Sequence, residues 1–123
     1  MKSAPAPERM RAVRRGRFAE TLCLWHLRLH GWRILARDYR VPVGEIDIVA
    51  RRGGTLAAIE VKARGTLETA VHSISPRQRR RVARALEQFL AARPDLAVLT
   101  LRFDVMLVAR RRLPRHLPNA WHT

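Results

Sequence analysis

The sequence has little of what marks secreted or membrane-spanning proteins. It contains a single cysteine, Cys23, which excludes an internal disulfide and favours a reducing compartment. No apolar run approaches the roughly 20 residues needed to cross a bilayer. The basic N-terminus is not followed by the apolar segment of a secretory signal. We therefore expect a cytoplasmic protein with no membrane partner.

Lysine and acidic residues are also scarce. Of the 25 lysines and arginines, only Lys2 and Lys62 are lysines, and the chain has only 10 acidic residues, which leaves a net charge of +15. A strongly basic domain usually binds a polyanion, most often nucleic acid. After residue 2, all the remaining lysine or arginine positions except 62 hold arginine, so the lysine at position 62 is conspicuous.

The apolar pattern predicts one α/β domain. The 123 residues suit a single domain, and 47% of them are hydrophobic, which is enough for a sizeable core. We expect residues 1–10 to form a disordered lead and residues 11–123 a single folded domain. The elements follow in the order helix, three strands, helix, strand, with the helices packed on a mixed sheet. We expect residues 65–74 to form a loop.

Two details of the predicted helices bear on the site. Helical spacing predicts that the first helix, about 11–30, packs through one apolar stripe: Phe18, Leu22, Trp25 and Leu29. Ser75 and Pro76 are typical of a helix start, with serine as the N-cap and proline in the first turn.

The segment 43–64 is typical of a β-hairpin, with its turn at Gly53 and Gly54. Its charges are unusual, because acids are depleted from strands. With that turn, Asp47 faces Glu60 across the hairpin. Facing residues have Cβ atoms about 5 Å apart, so two carboxylates there repel each other unless a cation lies between them.

A hard divalent cation, Mg²⁺ or Mn²⁺, takes oxygen ligands and fits this gap. The same register places Glu45 opposite Lys62, one step along the same strand face. Two metal-binding carboxylates beside an ammonium suit phosphodiester hydrolysis. Alternatively, these side chains are solvated on the open face of an edge hairpin, with Glu45 and Lys62 as a surface ion pair.

This ordered set resembles the D…E-x-K signature of the PD-(D/E)XK nuclease-like superfamily. The segment GEID ends at Asp47, and Glu60-Val61-Lys62 follows thirteen residues later. Along most of the chain the sequence resembles the YraN family of small bacterial proteins with a restriction-endonuclease-like fold, whose core order archaeal Holliday-junction resolvases share. The family's Pro-Asp dipeptide is absent, since Asp47 follows isoleucine.

The resemblance implies metal ligands at Asp47 and Glu60, a catalytic lysine at Lys62, and a helical acid at Glu20 that approaches the metal. On the residues alone, Glu20 could instead pair with Arg17 or Arg28.

Gln78 has two interpretations. It could orient a scissile phosphate or a water, or it could complete a capping box with Ser75.

Asp104 shares a strand face with Arg102, and we expect these two residues to form a structural pair. A zinc site built from Cys23, His26 and His30 is disfavoured, because one helix supplies too few ligands.

Two dense basic stretches are candidates for phosphate contact: Arg14, Arg15 and Arg17, and Arg77, Arg79, Arg80, Arg81 and Arg84. No motif for base recognition accompanies them, so we expect recognition of DNA backbone or shape.

The leading interpretation is a metal-dependent nuclease-like protein that hydrolyses DNA phosphodiester bonds, with branched or structured DNA suggested by the resolvase resemblance. A non-catalytic nucleic-acid-binding module with the same fold is the alternative, followed by a basic RNA- or ribosome-associated protein. The sequence leaves a homodimer open.

Overall fold

A computed structural model of the chain describes residues 7–109 and 112–122, with side chains from residue 16 onward. It contains three α-helices and five strands within these residues, and a short 3₁₀ turn at Pro94–Leu96. In chain order they are α1 (Pro7–Leu29), β1 (Arg33–Val41), β2 (Gly44–Arg52), β3 (Thr55–Lys62), α2 (Leu67–His72), α3 (Pro76–Ala92), β4 (Thr100–Leu107) and β5 (Arg115–Trp121).

The five strands form one mixed sheet in the order β1-β2-β3-β4-β5. Only β3 and β4 pair in parallel, and the other neighbours are antiparallel. Helix α1 packs on one face, while α2 and α3 pack on the other. The predicted α-β-β-β-α-β order is confirmed, and the structure adds to it the short α2 and the edge strand β5.

Each face of the sheet has its own core. The α1 side joins Cys23, Leu24 and Leu27 to the sheet residues Ile48 and Ile59. The α3 side is larger and unites buried residues from both helices with the sheet and the tail: Ile46, Val49, Leu56, Ala70, Ile74, Val82, Leu86, Phe89, Val105 and Trp121. Strands β2 and β3 are therefore buried on both faces along most of their length.

The predicted stripe of α1 is wrong. Phe18, Trp25 and Leu29 are 66%, 58% and 81% exposed, whereas Ala19 and Cys23 are buried against the sheet. Both stripes have helical spacing, and periodicity alone does not say which one packs. In the structure the side that contains Cys23, Leu24 and Leu27 packs on the sheet, and Phe18, Trp25 and Leu29 therefore face outward.

Two short elements were missed. Residues 65–74, expected as a loop, contain α2, whose six residues are too few for an apolar period; Thr66 and Thr69 close its first turn as a capping box. Strand β5 contains Pro118, which argues against a central strand but is tolerated at a sheet edge.

The predicted starts of α3 and α1 can both be compared with the structure. At α3, Ser75 is the N-cap and accepts a hydrogen bond from the Gln78 backbone, as expected. Helix α1 begins at Pro7, which shortens the expected lead of residues 1–10, and residues 1–6 lie outside the described residues. None of the helices described here is long and apolar enough to cross a membrane.

Candidate active site

The hairpin positions the site at the point where its two strands separate. Residues 48–52 of β2 pair with residues 55–59 of β3 in the predicted register, and the last pair is Ile48 with Ile59. Asp47 and Glu60 therefore lie just past the end of the ladder rather than within it. The predicted pairing of Glu45 with Lys62 is wrong, since Glu45 binds Arg81 on α3 instead, with Nη2 2.8 Å from Oε2.

Strand β2 departs from regular alternation at Asp47. Ile46 and Val49 both pack on the α3 side, while Ile48 packs on the α1 side. Regular alternation would place Ile46 and Ile48 on the same face, so β2 is irregular at this point. Asp47 turns its carboxylate toward β3, where Oδ2 accepts a hydrogen bond of 2.9 Å from the backbone N–H of Val61. The carboxylate thus fills the gap that opens beyond the ladder.

Glu60 is the most buried acid of the site, at 4% exposure. Its Oε2 accepts a hydrogen bond of 3.1 Å from Gln78 Nε2, while Oε1 is buried and has no hydrogen-bond partner among the described residues. Burial, followed by the negative charge of Asp47, raises the Glu60 pKa to about 8, against the opposing effect of Lys62. Buried oxygens rarely lack a partner, so this one is a candidate to accept a hydrogen bond or to bind a cation.

Asp47 has a similar environment. Burial raises its pKa, although the Val61 N–H and the positive charge of Lys62 both favour the ionised form. Lys62 is half-buried and lies two residues after Glu60, on the same strand face. The positive charge of Lys62 lowers the pKa of both carboxyl groups.

Glu20 reaches the same region from α1. Its carboxylate accepts a hydrogen bond of 3.3 Å from Arg37 Nε, so the alternative pairing with Arg17 or Arg28 is wrong. Burial and then the charge of Asp47 raise the Glu20 pKa. The structure therefore brings Glu20 within electrostatic reach of Asp47, and Glu20 is paired with Arg37.

Asp38 was not predicted as a site residue. It is exposed on β1 and raises the pKa of both Asp47 and Glu20. Asp38 has a positive φ of 52°, an uncommon conformation that aspartate tolerates better than most residues. The scarcity of acids in this chain is the one sequence signal that could have drawn attention to it.

Gln78 does not complete the capping box that was considered, and its role toward a phosphate or a water stays a prediction. Its backbone N–H is capped by Ser75, but its side chain does not return to the cap; it binds Glu60 instead. It therefore orients a carboxylate of the site.

A cavity of about 460 Å³ adjoins Lys62 and is lined by the connection to α2 and by α2 itself: Ala63, Arg64, Gly65, Thr69, Ala70 and Ser73.

The donor set fits a small divalent cation better than zinc. No group of three or more His, Cys, Asp or Glu side chains among the described residues is arranged to hold a metal, and this includes Cys23, His26 and His30. Asp47 and Glu60 thus form a two-carboxylate set. Mg²⁺ is commonly held through one or two carboxylates, with waters and substrate phosphate completing its shell, whereas structural zinc needs four protein ligands.

The arginines of α3 divide into two groups. Arg79 donates to the Ile74 carbonyl oxygen at 3.2 Å, and Arg81 binds Glu45, so both hold the protein together. The other three, Arg77, Arg80 and Arg84, are exposed at spacings of three and four residues, which places them on one helical face. On α1, Arg17 is exposed, and the side chains of Arg14 and Arg15 lie outside the described residues.

Asp104 forms the predicted pair with Arg102, with Nε 2.9 Å from Oδ1 and Nη2 3.0 Å from Oδ2. His116 Nε2 lies 2.7 Å from Oδ2, and the Asn119 backbone donates to Oδ1. Burial raises the Asp104 pKa, but the hydrogen bonds from His116 and Arg102 outweigh it and lower the pKa below its usual value. This network ties β5 to β4 and is structural.

The matching family model and the related sequences carry the same family name. A family model described as Uncharacterised protein family UPF0102 matches residues 19–108. A UPF0102 protein of Rhodopseudomonas palustris strain BisB5 is 51% identical over 117 residues, which cover 95% of this chain and 89% of that protein. A UPF0102 protein of Parvibaculum lavamentivorans is 52% identical over 110 residues, covering 89% of this chain and 83% of that one.

Among solved structures, the chain is similar to Archaeoglobus fulgidus Hjc, a Holliday junction resolvase from an archaeal hyperthermophile. The similarity has a TM-score of 0.49 at 24% sequence identity, and it covers 83% of this chain and 73% of the resolvase.

Proposed function

The chain belongs to the UPF0102 family, also called the YraN family, and from its candidate site we propose that it hydrolyses DNA phosphodiester bonds with the help of a divalent metal. The family resemblance recognised in the sequence is confirmed by the family model and by relatives at about half identity. The family description assigns no reaction, so the proposal rests on the residues of the site.

The carrying observation is the pairing of the buried carboxyl group of Glu60 with that of the half-buried Asp47 at the fork of the hairpin. Glu60 presents a buried oxygen with no partner among the described residues, and Asp47 is near enough to raise its pKa. Leaving such groups together inside a protein costs free energy that a structural role would not require. A divalent cation between them would remove both the repulsion and the unmet acceptor.

In this proposal Asp47 and Glu60 hold the ion, and Gln78 fixes the rotamer of Glu60. Mg²⁺ or Mn²⁺ would polarise a phosphoryl oxygen and lower the pKa of a bound water. The Lys62 ammonium stabilises the charge that develops on the phosphoryl group in the transition state, or orients the attacking water. Glu20 contributes a further negative charge from the α1 side.

Binding of DNA is supported by charge. The net charge of +15 attracts a polyanion, and the exposed arginines of α3 offer a row of phosphate contacts. Two of them, Arg77 and Arg80, flank Gln78 in sequence, so phosphate bound there would lie at the end of α3 that contacts Glu60. The same row would serve a non-catalytic nucleic-acid-binding module, which is the alternative that this observation favours.

Cleavage of DNA tests the proposal against that alternative. Labelled linear duplex and four-way junction DNA are incubated with the protein and Mg²⁺, Mn²⁺ or EDTA. We expect metal-dependent cleavage by the wild type and none by Asp47→Ala. The matched control is Glu87→Ala, which removes an exposed acid of α3 and should cleave like the wild type.

Faster cleavage of the junction would support the preference for branched DNA that the resemblance implies. DNA binding without cleavage under any of these conditions would favour the non-catalytic module.

A further inference from the structure

The outward side of α1 carries large apolar side chains that the described part of the chain leaves uncovered. We define this outer face by Phe18, Leu22, Trp25 and Leu29. Three of the four are more than half exposed, and Leu22 is partly buried. Scattered exposed apolar residues are ordinary, but a contiguous group that includes two aromatic rings marks an interaction surface.

Arginine accompanies these rings. The Arg28 guanidinium lies 5.7 Å from the centre of the Trp25 ring, close enough for a cation–π contact. Arg17, next to Phe18 in sequence, is also exposed. Along its whole length α1 contains six arginines and two glutamates. The outer face therefore combines exposed ring surface with positive charge.

A second copy of the chain is a poor partner for this surface. Two copies would bring two arginine-rich helices together, and like charges repel. The apolar spacing of four, three and four residues covers less than two heptads, fewer than the three or four that sustain a coiled coil. The outer face also offers only four residues, whereas stable interfaces use about 20–30 residues on each side.

A membrane surface fits less well than nucleic acid. Helices that lie in a membrane surface separate a charged face from an apolar face. In α1 the second face is buried against the sheet, so arginines and aromatic rings share the one side that remains exposed. Single-stranded nucleic acid presents both kinds of complementary group, since its phosphates attract arginine and its bases stack on aromatic rings.

We infer that the outer face of α1 binds unpaired nucleotides of a nucleic-acid strand, with bases stacked on Phe18 and Trp25 and phosphates held by Arg17 and Arg28. The two rings are seven residues apart, or about 10.5 Å along the helix. That distance equals about three base steps of roughly 3.4 Å each. This binding goes beyond the proposed hydrolysis, because stacking needs no chemistry at Asp47 or Glu60.

Tryptophan fluorescence tests the inference directly. Trp32 and Trp121 are each 3% exposed, whereas Trp25 is 58% exposed, so contact with a base should quench Trp25 selectively. The titration is done in EDTA with a short oligothymidylate, and again with an abasic oligonucleotide of equal length and charge. We expect quenching by the first and not by the second.

Affinities are then measured with end-labelled oligonucleotides. Phe18→Leu and Trp25→Leu keep apolar side chains but remove the rings, and each should weaken oligothymidylate binding about tenfold while leaving abasic binding unchanged. The control is Val98→Ala, a change at an apolar residue that is 88% exposed elsewhere. Circular dichroism checks that the variants fold.

Three results would overturn the inference: equal quenching by the abasic strand, a wild-type dimer that Trp25→Leu converts to monomer in sedimentation, or Trp25-dependent binding to phosphatidylserine vesicles without oligonucleotide binding. Because EDTA prevents metal-dependent cleavage, failure here is distinct from failure of the proposed hydrolysis.

Discussion

Gln78 donates a hydrogen bond to Glu60 across the interface between α3 and β3, with Nε2 3.1 Å from Oε2. A residue at the first turn of a helix thereby orients a buried carboxylate of the sheet. The contact leaves the other Glu60 oxygen without a partner among the described residues. Helix α3 therefore contributes to the site through orientation, in addition to its exposed arginines.

This contact predicts that Gln78→Ala weakens metal binding while leaving the ligands in place. Loss of a group that orients a metal ligand typically costs 10- to 100-fold in affinity, and calorimetric titration with Mn²⁺ measures it. Ser75→Ala is the matched control. It removes the helix cap beside Gln78 and should cost about 1 kcal/mol of stability with little change in Mn²⁺ affinity. Equal metal affinity in wild type and Gln78→Ala would show that Glu60 needs no such support.

The raised pKa of Glu60 predicts a pH-dependent stability in metal-free buffer. The folded protein holds a proton on Glu60 up to pH about 8, whereas the unfolded chain releases it near the ordinary value of 4.5. The folded state thus binds more protons between these values, so its free energy of unfolding falls as pH rises from 4.5 to 8. For one group the slope is at most about 1.4 kcal/mol per pH unit.

Urea unfolding at several pH values measures this dependence. In Glu60→Gln the decline should be much smaller, because that side chain does not titrate. Divalent metal should restore stability at pH 8 in the wild type and not in the variant. A wild-type stability that rises from pH 5 to pH 8 would contradict the protonation assigned to Glu60.

Gly44 has a steric role at the start of β2. A Cβ atom at this position would overlap the carbonyl oxygen of Arg81 on α3. Gly44→Ala should therefore destabilise the protein by about 3 kcal/mol, because the contact is with backbone that cannot easily move. Gly54→Ala is the control: nothing lies within 4 Å of a Cβ there, so the change should stay within about 0.5 kcal/mol. Similar denaturation midpoints for both variants would refute this packing.

The exposed arginines of α3 predict salt-sensitive DNA binding without sequence preference. Replacing Arg77, Arg80 or Arg84 by glutamine should weaken binding to all duplexes alike and reduce the slope of log affinity against log salt by about 1. Arg93→Gln is the control, since that residue pairs with Asp95 at the far end of α3. Fluorescence anisotropy over a range of salt concentrations measures both quantities. An unchanged slope in all three variants would place the phosphate contacts elsewhere.

Local chemistry explains which features could be predicted from the sequence. Gly53 and Gly54 mark the hairpin turn, and the turn fixes the register of five residue pairs beyond it. Alternation along β3 then places Glu60 and Lys62 on one face correctly. Alternation fails on β2 because Asp47 turns toward the Val61 backbone, a contact between strands that periodicity does not encode.

The other errors also come from tertiary contacts. Helical spacing in α1 fits two stripes, and only packing against the sheet selects the one that contains Cys23 and Leu27. Glu45 pairs with Arg81, thirty-six residues away, rather than with Lys62 across the hairpin. Asp38 comes near the site because β1 runs beside β2, a neighbour relation that sequence analysis did not exploit.

The role of Lys62 separates an enzyme from a binding module. If the ammonium acts on the attacking water or on transition-state charge, Lys62→Ala should abolish cleavage while metal and DNA affinities stay within a few-fold of the wild type. Lys62→Arg should also fail, because a planar guanidinium does not replace a compact ammonium at a confined site. That requirement would account for a lysine at this position in a chain whose other basic residues after position 2 are all arginine.

The most direct test is single-turnover cleavage of junction and linear DNA with Mn²⁺, with wild type, Lys62→Ala and Lys62→Arg compared at saturating protein. The account predicts cleavage by the wild type alone, with all three proteins binding DNA and metal. Cleavage by Lys62→Arg at the wild-type rate would contradict the role given to Lys62. A wild type that binds Mn²⁺ and DNA but leaves both substrates intact would contradict the central claim.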